Sequence, residues 1–125
     1  MKNIEKNLDS AWSELVKLRA GGVCEKCGSS FALASHHVFT RGGKMLRWDF
    51  ENGICLCYSD HVESSEFSAH KTPDKFKDWF VLTRGLEKWE DLEFKSHQIM
   101  KFHEFEKREL LKEIKKEIKR LKDRL

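Results

Sequence analysis

All four cysteines of this chain fall between residues 24 and 57, and the first two form Cys24-Glu25-Lys26-Cys27-Gly28. Two thiolates at that spacing can share one tetrahedral ion, and the glycine permits the tight turn between them. A second half lies downstream in Cys55, Cys57, Asp60 and His61. A closed site built on Cys24, Cys27 and Cys57 takes its fourth ligand from Asp60 or from Cys55. Zinc accepts carboxylate oxygen, although three thiolates with an aspartate are less usual than four thiolates. A structural zinc there makes roughly 10–16 kcal/mol of apparent binding energy available to organise a small core. Two disulfides would instead need an oxidising compartment that the sequence does not advertise.

The rest of the composition narrows the class. The chain has 125 residues, 39% hydrophobic and 36% charged, which suits one compact domain with room for a helical appendage. Four Trp and nine Phe can seed a core, so wholesale disorder is excluded. The longest apolar run, Ile54-Cys55-Leu56-Cys57-Tyr58, is far too short to span a bilayer. Met1-Lys2-Asn3 leads into an amphipathic, acid-containing stretch without the apolar centre of a signal peptide. Membrane and collagen-like classes are excluded, and secretion is disfavoured. The formal charge of +3 hides an asymmetry. Residues 101–125 hold ten Lys/Arg and six Asp/Glu, while the first hundred are slightly acidic. A basic helix of this kind can meet nucleic-acid phosphate or simply present a solvated face.

Periodicity predicts a helix over residues 3–19, with Ile4, Leu8, Trp12, Leu15 and Val16 on one face and Gly21-Gly22 ending it. Ala34–Phe39 and Gly53–Tyr58 read as a strand pair around a glycine-rich loop. One helix is expected to start near Ser59 or Asp60. Another follows Thr72-Pro73, with the threonine as cap, proline in the first turn, and Phe76, Trp79, Phe80 and Val81 toward the core. Residues 91–125 are expected to be helical. Within them Leu111, Ile114, Ile118, Leu121 and Leu125 form a seam at 3-4-3-4 spacing. That seam can pack on the N-terminal helix of the same chain or build a homodimer.

Between and beyond the cysteine halves stand His36-His37, Arg41, Asn52, His61 and His70. The order of a cysteine knuckle, a histidine pair, an asparagine, a second knuckle with histidine and a last histidine resembles the HNH endonucleases. The stretches Ser35-His36-His37-Val38, Leu46-Arg47-Trp48-Asp49 and Asn52-Gly53-Ile54-Cys55-Leu56-Cys57 look like the small phage-borne members. So does His70-Lys71-Thr72-Pro73 followed by Phe76 and Trp79. The resemblance covers about residues 24–80 and implies an α+β fold whose centre is a ββα-metal finger with a structural zinc knuckle. The expected organisation is an N-terminal helix in 1–22, the nuclease core in 23–90 and a basic amphipathic helix in 91–125.

The resemblance further implies that His37 is the general base, with Asn52 bracing the loop and orienting His37 through its backbone. His36, His61 and His70 would hold one catalytic divalent ion, Mg²⁺, Mn²⁺ or similar. Structural Zn²⁺ would sit on Cys24, Cys27, Cys57 and Asp60. Arg41, in the glycine-rich loop, would hold a phosphate oxygen unless it is merely solvated. The chemistry is consistent: phosphodiester hydrolysis needs an activated water, a cation on the phosphate and relief of charge on the leaving 3′-oxygen. Imidazole titrates near neutral pH, and neighbouring side chains on a strand diverge, so adjacent histidines suit two tasks. The implied partner is DNA, double-stranded or branched, without membrane association, in the cytoplasm of a bacterial or phage-infected host cell. A zinc-stabilised binding module without catalysis and a nuclease selective for branched recombination intermediates are the rival readings.

Two departures stand out. The second knuckle reads Cys57-Tyr58-Ser59-Asp60-His61, so Asp60 occupies a position where the family usually has a thiolate. The last metal histidine of the family usually lies four residues beyond the one that follows the second knuckle, but four beyond His61 is Ser65, and the next histidine is His70. On an unbroken helix, nine residues turn the chain by about 900° and advance it about 13.5 Å, which puts His61 and His70 on opposite faces. Shared ligation therefore requires Glu63–Ser68 to bulge or loop so that His70 returns.

Overall fold

A computed structural model describes residues 3–40 and 46–125. Its elements are α1 (Ile4–Arg19), β1 (Leu33–His37), β2 (Gly53–Cys57), α2 (Pro73–Arg84), α3 (Leu86–Ser96) and α4 (Glu104–Lys122). A short 3₁₀ turn, Phe50–Asn52, precedes β2, and a single wide π turn, Ser59–Glu63, follows it. The fold is α+β with one two-stranded antiparallel sheet. No helix among the described residues is long and apolar enough to cross a membrane.

The apolar face of α1 forms as its spacing predicts, burying Ile4, Leu8, Ala11, Trp12, Leu15 and Val16. Its end is set by Gly21 and Gly22, both at φ +74°, where Gly22 N–H returns to the Lys17 carbonyl at 3.0 Å. That face meets β2 so closely that a Cβ on Gly53 would lie 2.9 Å from the Trp12 ring and still nearer to Val16. Only glycine permits this approach.

The sheet divides the interior. Its register pairs Ser35 with Cys55, His36 with Ile54 and His37 with Gly53. Alternation sends Ser35 and His37 toward α1, where the Ser35 hydroxyl donates to the Ser13 carbonyl at 2.9 Å. On this side Trp48, Cys55, Ile114 and Ile118 join the buried residues of α1. On the other side Leu46, Ile54, Leu56, Ala69, Phe76, Phe80 and Leu92 form a second apolar cluster. β2 is thus covered on both faces, and every one of its residues is buried. That explains why it reads as a continuous apolar run rather than an alternating one.

Three expectations need correction. The C-terminal region is not one helix over 91–125: α3 begins at Leu86 and stops at Ser96, and α4 starts at Glu104. The intervening chain places Phe102 against Trp48, ring centroids 5.5 Å apart, so packing overrides the local helical preference. Thr72 does not cap α2 with its side chain; its hydroxyl is engaged with the backbone of Ser68 instead. Val81 is only half-buried and stands outside the core cluster, while Phe76 and Phe80 carry the core side of α2 with Trp79 packed half-buried against them. The seam of α4 packs within the chain, with Leu110, Leu111 and Leu121 flanking Ile114 and Ile118 against α1. Ion pairs fasten the two helices, Lys107 to Glu5 at 2.7 Å and Lys122 to Glu14 at 2.9 Å.

Candidate metal centres

The cysteine knuckle folds around its own backbone. Gly28 N–H bonds to the Cys24 carbonyl at 2.9 Å, and Cys24 N–H to the Ser29 carbonyl at 2.7 Å, so the two thiols face one point. Glu25 fixes the knuckle to the sheet: its N–H donates to the Cys55 carbonyl, and its carboxylate accepts the Cys55 N–H, each at 2.8 Å. Arg84 holds the other carboxylate oxygen at 2.7 Å. Cys57, at the end of β2, and Asp60, on the π turn, complete the set.

The donor atoms of Cys24, Cys27, Cys57 and Asp60 all lie within 4.8 Å of one another. Cys27 Sγ and Cys57 Sγ are 3.7 Å apart, and Asp60 Oδ2 lies 3.3 Å from Cys24 Sγ and 3.5 Å from Cys57 Sγ. Tetrahedral zinc with bonds of about 2.3 Å to sulfur and 2.0 Å to oxygen requires edges of about 3.8 Å and 3.5 Å. Three of the edges therefore have the lengths a zinc ion needs. A backbone hydrogen bond at Ser29 acts to lower the Cys27 pKa, but hydrogen bonding with Asp60, burial, and contacts with Cys57 and Cys24 together outweigh it and push the thiol up to about 12. Cys55 stays out of it. Although two residues from Cys57 on one strand, it is fully buried against α1, and burial pushes its thiol up to about 11. Cys57 packs in the second cluster and Cys55 in the first.

The second group is His36, His61 and His70, whose ligand nitrogens also lie within 4.8 Å of one another. His36 projects from β1 on the side opposite α1, its ring edge-on to Phe76 at 5.2 Å. His61 comes from the π turn, and the chain then loops out and back. The return is built by backbone bonds: Ala69 N–H to the Asp60 carbonyl at 2.9 Å and His70 N–H to the His61 carbonyl at 3.0 Å. Ser68 and Thr72 lock the loop further, with Ser68 Oγ accepting the Lys71 N–H at 3.1 Å. Nε2 of His61 and Nε2 of His70 consequently stand 3.1 Å apart. The helical geometry that would separate these histidines never forms, because only one wide turn follows β2 before the chain extends at Ser64.

Burial, and then the charges of His61, His70 and His37, push the pKa of His36 down to about 3. Burial and His70 lower that of His61 as well. Both shifts favour the neutral imidazole, which is the form a cation can bind.

His37 faces the other way. Its ring stacks on Trp12, centroids 4.0 Å apart and planes within 9°. Its Nε2 lies 3.0 Å from the Arg47 carbonyl. A carbonyl only accepts, so neutral His37 carries its proton on Nε2 and its basic lone pair at Nδ1. Asn52 is fully buried and uses its amide completely. Its Oδ1 accepts the Phe39 N–H at 2.9 Å, and its Nδ2 donates to the carbonyls of Phe39 at 3.0 Å and Leu46 at 3.2 Å. Its own carbonyl accepts the Val38 N–H, adjacent to His37, at 2.8 Å. Asn52 thus ties together the chain on both sides of residues 41–45. Arg41, expected at a phosphate, lies outside the described residues.

Sequence reading missed two participants, Trp12 and Arg47. Trp12 sits at a regular apolar position of α1, and its spacing carries no sign of a contact with His37. Arg47 acts through a main-chain carbonyl, which no side-chain pattern marks. The class of protein defined by fold and site is an α+β chain whose small sheet carries two clusters able to hold metal ions. No protein-family model, no curated protein and no solved structure matches the chain.

Proposed function

We propose that this chain is a metal-dependent endonuclease of the HNH type that hydrolyses DNA phosphodiester bonds. The observation that carries the reading is the convergence of His36, His61 and His70 despite their irregular spacing, with His37 immediately beside His36 on the strand. A chain using these histidines only for packing has no need to loop out after His61 and bring His70 back within 3.1 Å of it.

The three nitrogens fit a single divalent ion, and their character bears on which one. Imidazole suits first-row transition ions, whereas Mg²⁺ prefers oxygen ligands and keeps much of its water. Mn²⁺ or a heavier first-row ion is therefore favoured over Mg²⁺ at His36, His61 and His70. When bound, the cation supplies Lewis-acid stabilisation of charge on the phosphate and the departing 3′-oxygen. His37 takes the proton of the attacking water at Nδ1. Asn52 holds the loop ends so that the His37 backbone stays in place. The knuckle of Cys24, Cys27, Cys57 and Asp60 carries a structural Zn²⁺ with no part in bond cleavage. The basic surplus of α4 and the bound cations favour approach to a phosphate backbone, double-stranded or branched, with marked salt dependence.

A plasmid-nicking assay with Mn²⁺, Mg²⁺ and EDTA arms tests the reading. The wild-type chain should cut with Mn²⁺ and not with EDTA. His37→Ala should retain metal and fold while cleavage falls by about 10²–10⁴-fold, the usual contribution of a general base. Wild-type activity in a metal-loaded His37→Ala preparation would sink the mechanism. A wild-type chain that shifts DNA without cutting it would make this a binding module.

A further inference from the structure

We propose that α1 acts as a positioning element for the base, with Trp12 as the positioning residue that holds the plane of His37. The inference rests on His37 being the general base, and it adds a part of the chain that lies outside the strand pair and its metal ligands.

A base works when its lone pair is held on the line of proton transfer, and an imidazole on a strand retains two rotatable bonds unless something fixes them. Here two constraints act at right angles. The Arg47 carbonyl fixes the ring edge at Nε2, and the Trp12 indole stacks on one ring face with centroids 4.0 Å apart and planes within 9°. Rotation about the Cβ–Cγ bond would break both contacts at once.

Both constraints are themselves anchored to α1. Trp12 is nearly fully buried, and its Nε1–H donates to the Asp49 carbonyl at 2.8 Å, so the indole cannot swing away. Arg47 is gripped by Asp9 through Nε at 3.1 Å and Nη2 at 2.8 Å, and by Glu5 through Nη1 at 3.2 Å. Trp48 Nε1–H adds a bond to Asp9 at 2.8 Å. Residues 5, 9 and 12 follow helical spacing, so one face of α1 presents two carboxylates to the loop and the indole to the base. The charged fork on Arg47 sets where its carbonyl stands. His36 takes no part in this contact, because alternation points it to the opposite side of the sheet. Trp12 therefore governs the geometry of proton transfer and not the hold on the cation.

Three preparations test this: wild type, Trp12→Leu and Trp12→Phe, each as the full-length, metal-loaded chain. In wild type, NMR should find His37 as the Nε2–H tautomer with ring resonances moved upfield by the indole ring current. Trp12→Leu should abolish the upfield displacement and lower kcat for plasmid cleavage by about 10- to 100-fold, the range for a misplaced reacting group. KM for DNA and the Mn²⁺ affinity of the histidine cluster should not change. Trp12→Phe, which keeps a ring face, should recover part of kcat. Arg47→Met, which frees the carbonyl from Asp9 and Glu5, gives a second route should Trp12→Leu not fold, with the same fall in kcat expected. Absence of the ring-current displacement in wild type would overturn the inference. So would undiminished kcat in Trp12→Leu or, where that variant does not fold, in Arg47→Met. A wild-type chain that cuts no DNA with any divalent ion removes the nuclease reading and this inference together, whereas active wild type with equally active variants removes this inference alone.

Discussion

At the scale of single residues, His36 shows how the fold prepares a ligand. Burial, reinforced by three imidazoles around it, lowers its pKa from the ordinary value near 6.5 to about 3. Between those values the unfolded chain takes up a proton that the folded chain refuses. Stability is therefore unaffected by His36 above pH 6.5 and declines as pH falls toward 3, with a slope of at most about 1.4 kcal/mol per pH unit for one such proton. Urea denaturation without added divalent cation should show the midpoint dropping between pH 7 and pH 5. His36→Asn should flatten that fall, and an equally steep fall in the variant would assign it elsewhere. The divergence of His36 and His37 is legible in the sequence because strand alternation alone dictates it. What His37 rests against is not, because Trp12 lies more than twenty residues away and its position in α1 is equally that of an ordinary core tryptophan.

Among the elements, the π turn Ser59–Glu63 has the widest consequences. Asp60 belongs to the sulfur-rich cluster and its chain neighbour His61 to the histidine cluster, so one peptide bond joins the two centres. Their carbonyls also receive the N–H groups of Ala69 and His70. If the knuckle holds the proposed zinc, its loss should therefore loosen both His61 and His70. Cys27→Ser is expected to lower the Mn²⁺ or Co²⁺ affinity of the histidine cluster by about 10-fold or more, as when groups supporting a ligand are removed. Calorimetric titration would read it, and an unchanged affinity would show the centres to be independent. The knuckle spacing was visible in the sequence, including Asp60 in a thiolate position. The return of His70 was visible only as a requirement, since it depends on backbone bonds that side-chain patterns do not record. The break between α3 and α4 was hidden for another reason. No proline or glycine marks residues 97–103, the stretch in which the chain leaves α3 and sets Phe102 against Trp48 before α4 begins.

Across the whole molecule, the sheet lies between two apolar clusters of different origin. The cluster around Phe76 and Phe80 comes from segments near the metal ligands in sequence, whereas the cluster around Trp12 joins the two ends of the chain. The amphipathic seam of α4 was plain from its spacing, but spacing cannot say whether a seam meets its own chain or another. Here it meets α1. Ile118→Ala should cost about 2–4 kcal/mol, the usual range for truncating a buried isoleucine, while any zinc the wild-type knuckle takes up is taken up equally by the variant. Urea titration with zinc analysis would check both, and a loss below about 0.5 kcal/mol would mean that α4 contributes little to this core.

The pairing of α1 with α4 also sets an order of events during synthesis. Glu5 and its partner Lys107 are separated by 102 residues. At about 5–20 residues per second, α1 waits on the order of 5–20 s for its partner to be translated. Once the chain has grown past His70, the strands, the knuckle and all seven metal-cluster residues have been made, yet α1 still lacks its partner and the indole beneath His37 has no complete seat. Whatever the site does to its substrate, the last part of this fold to be made is α4, the helix furthest in sequence from His36, His61 and His70.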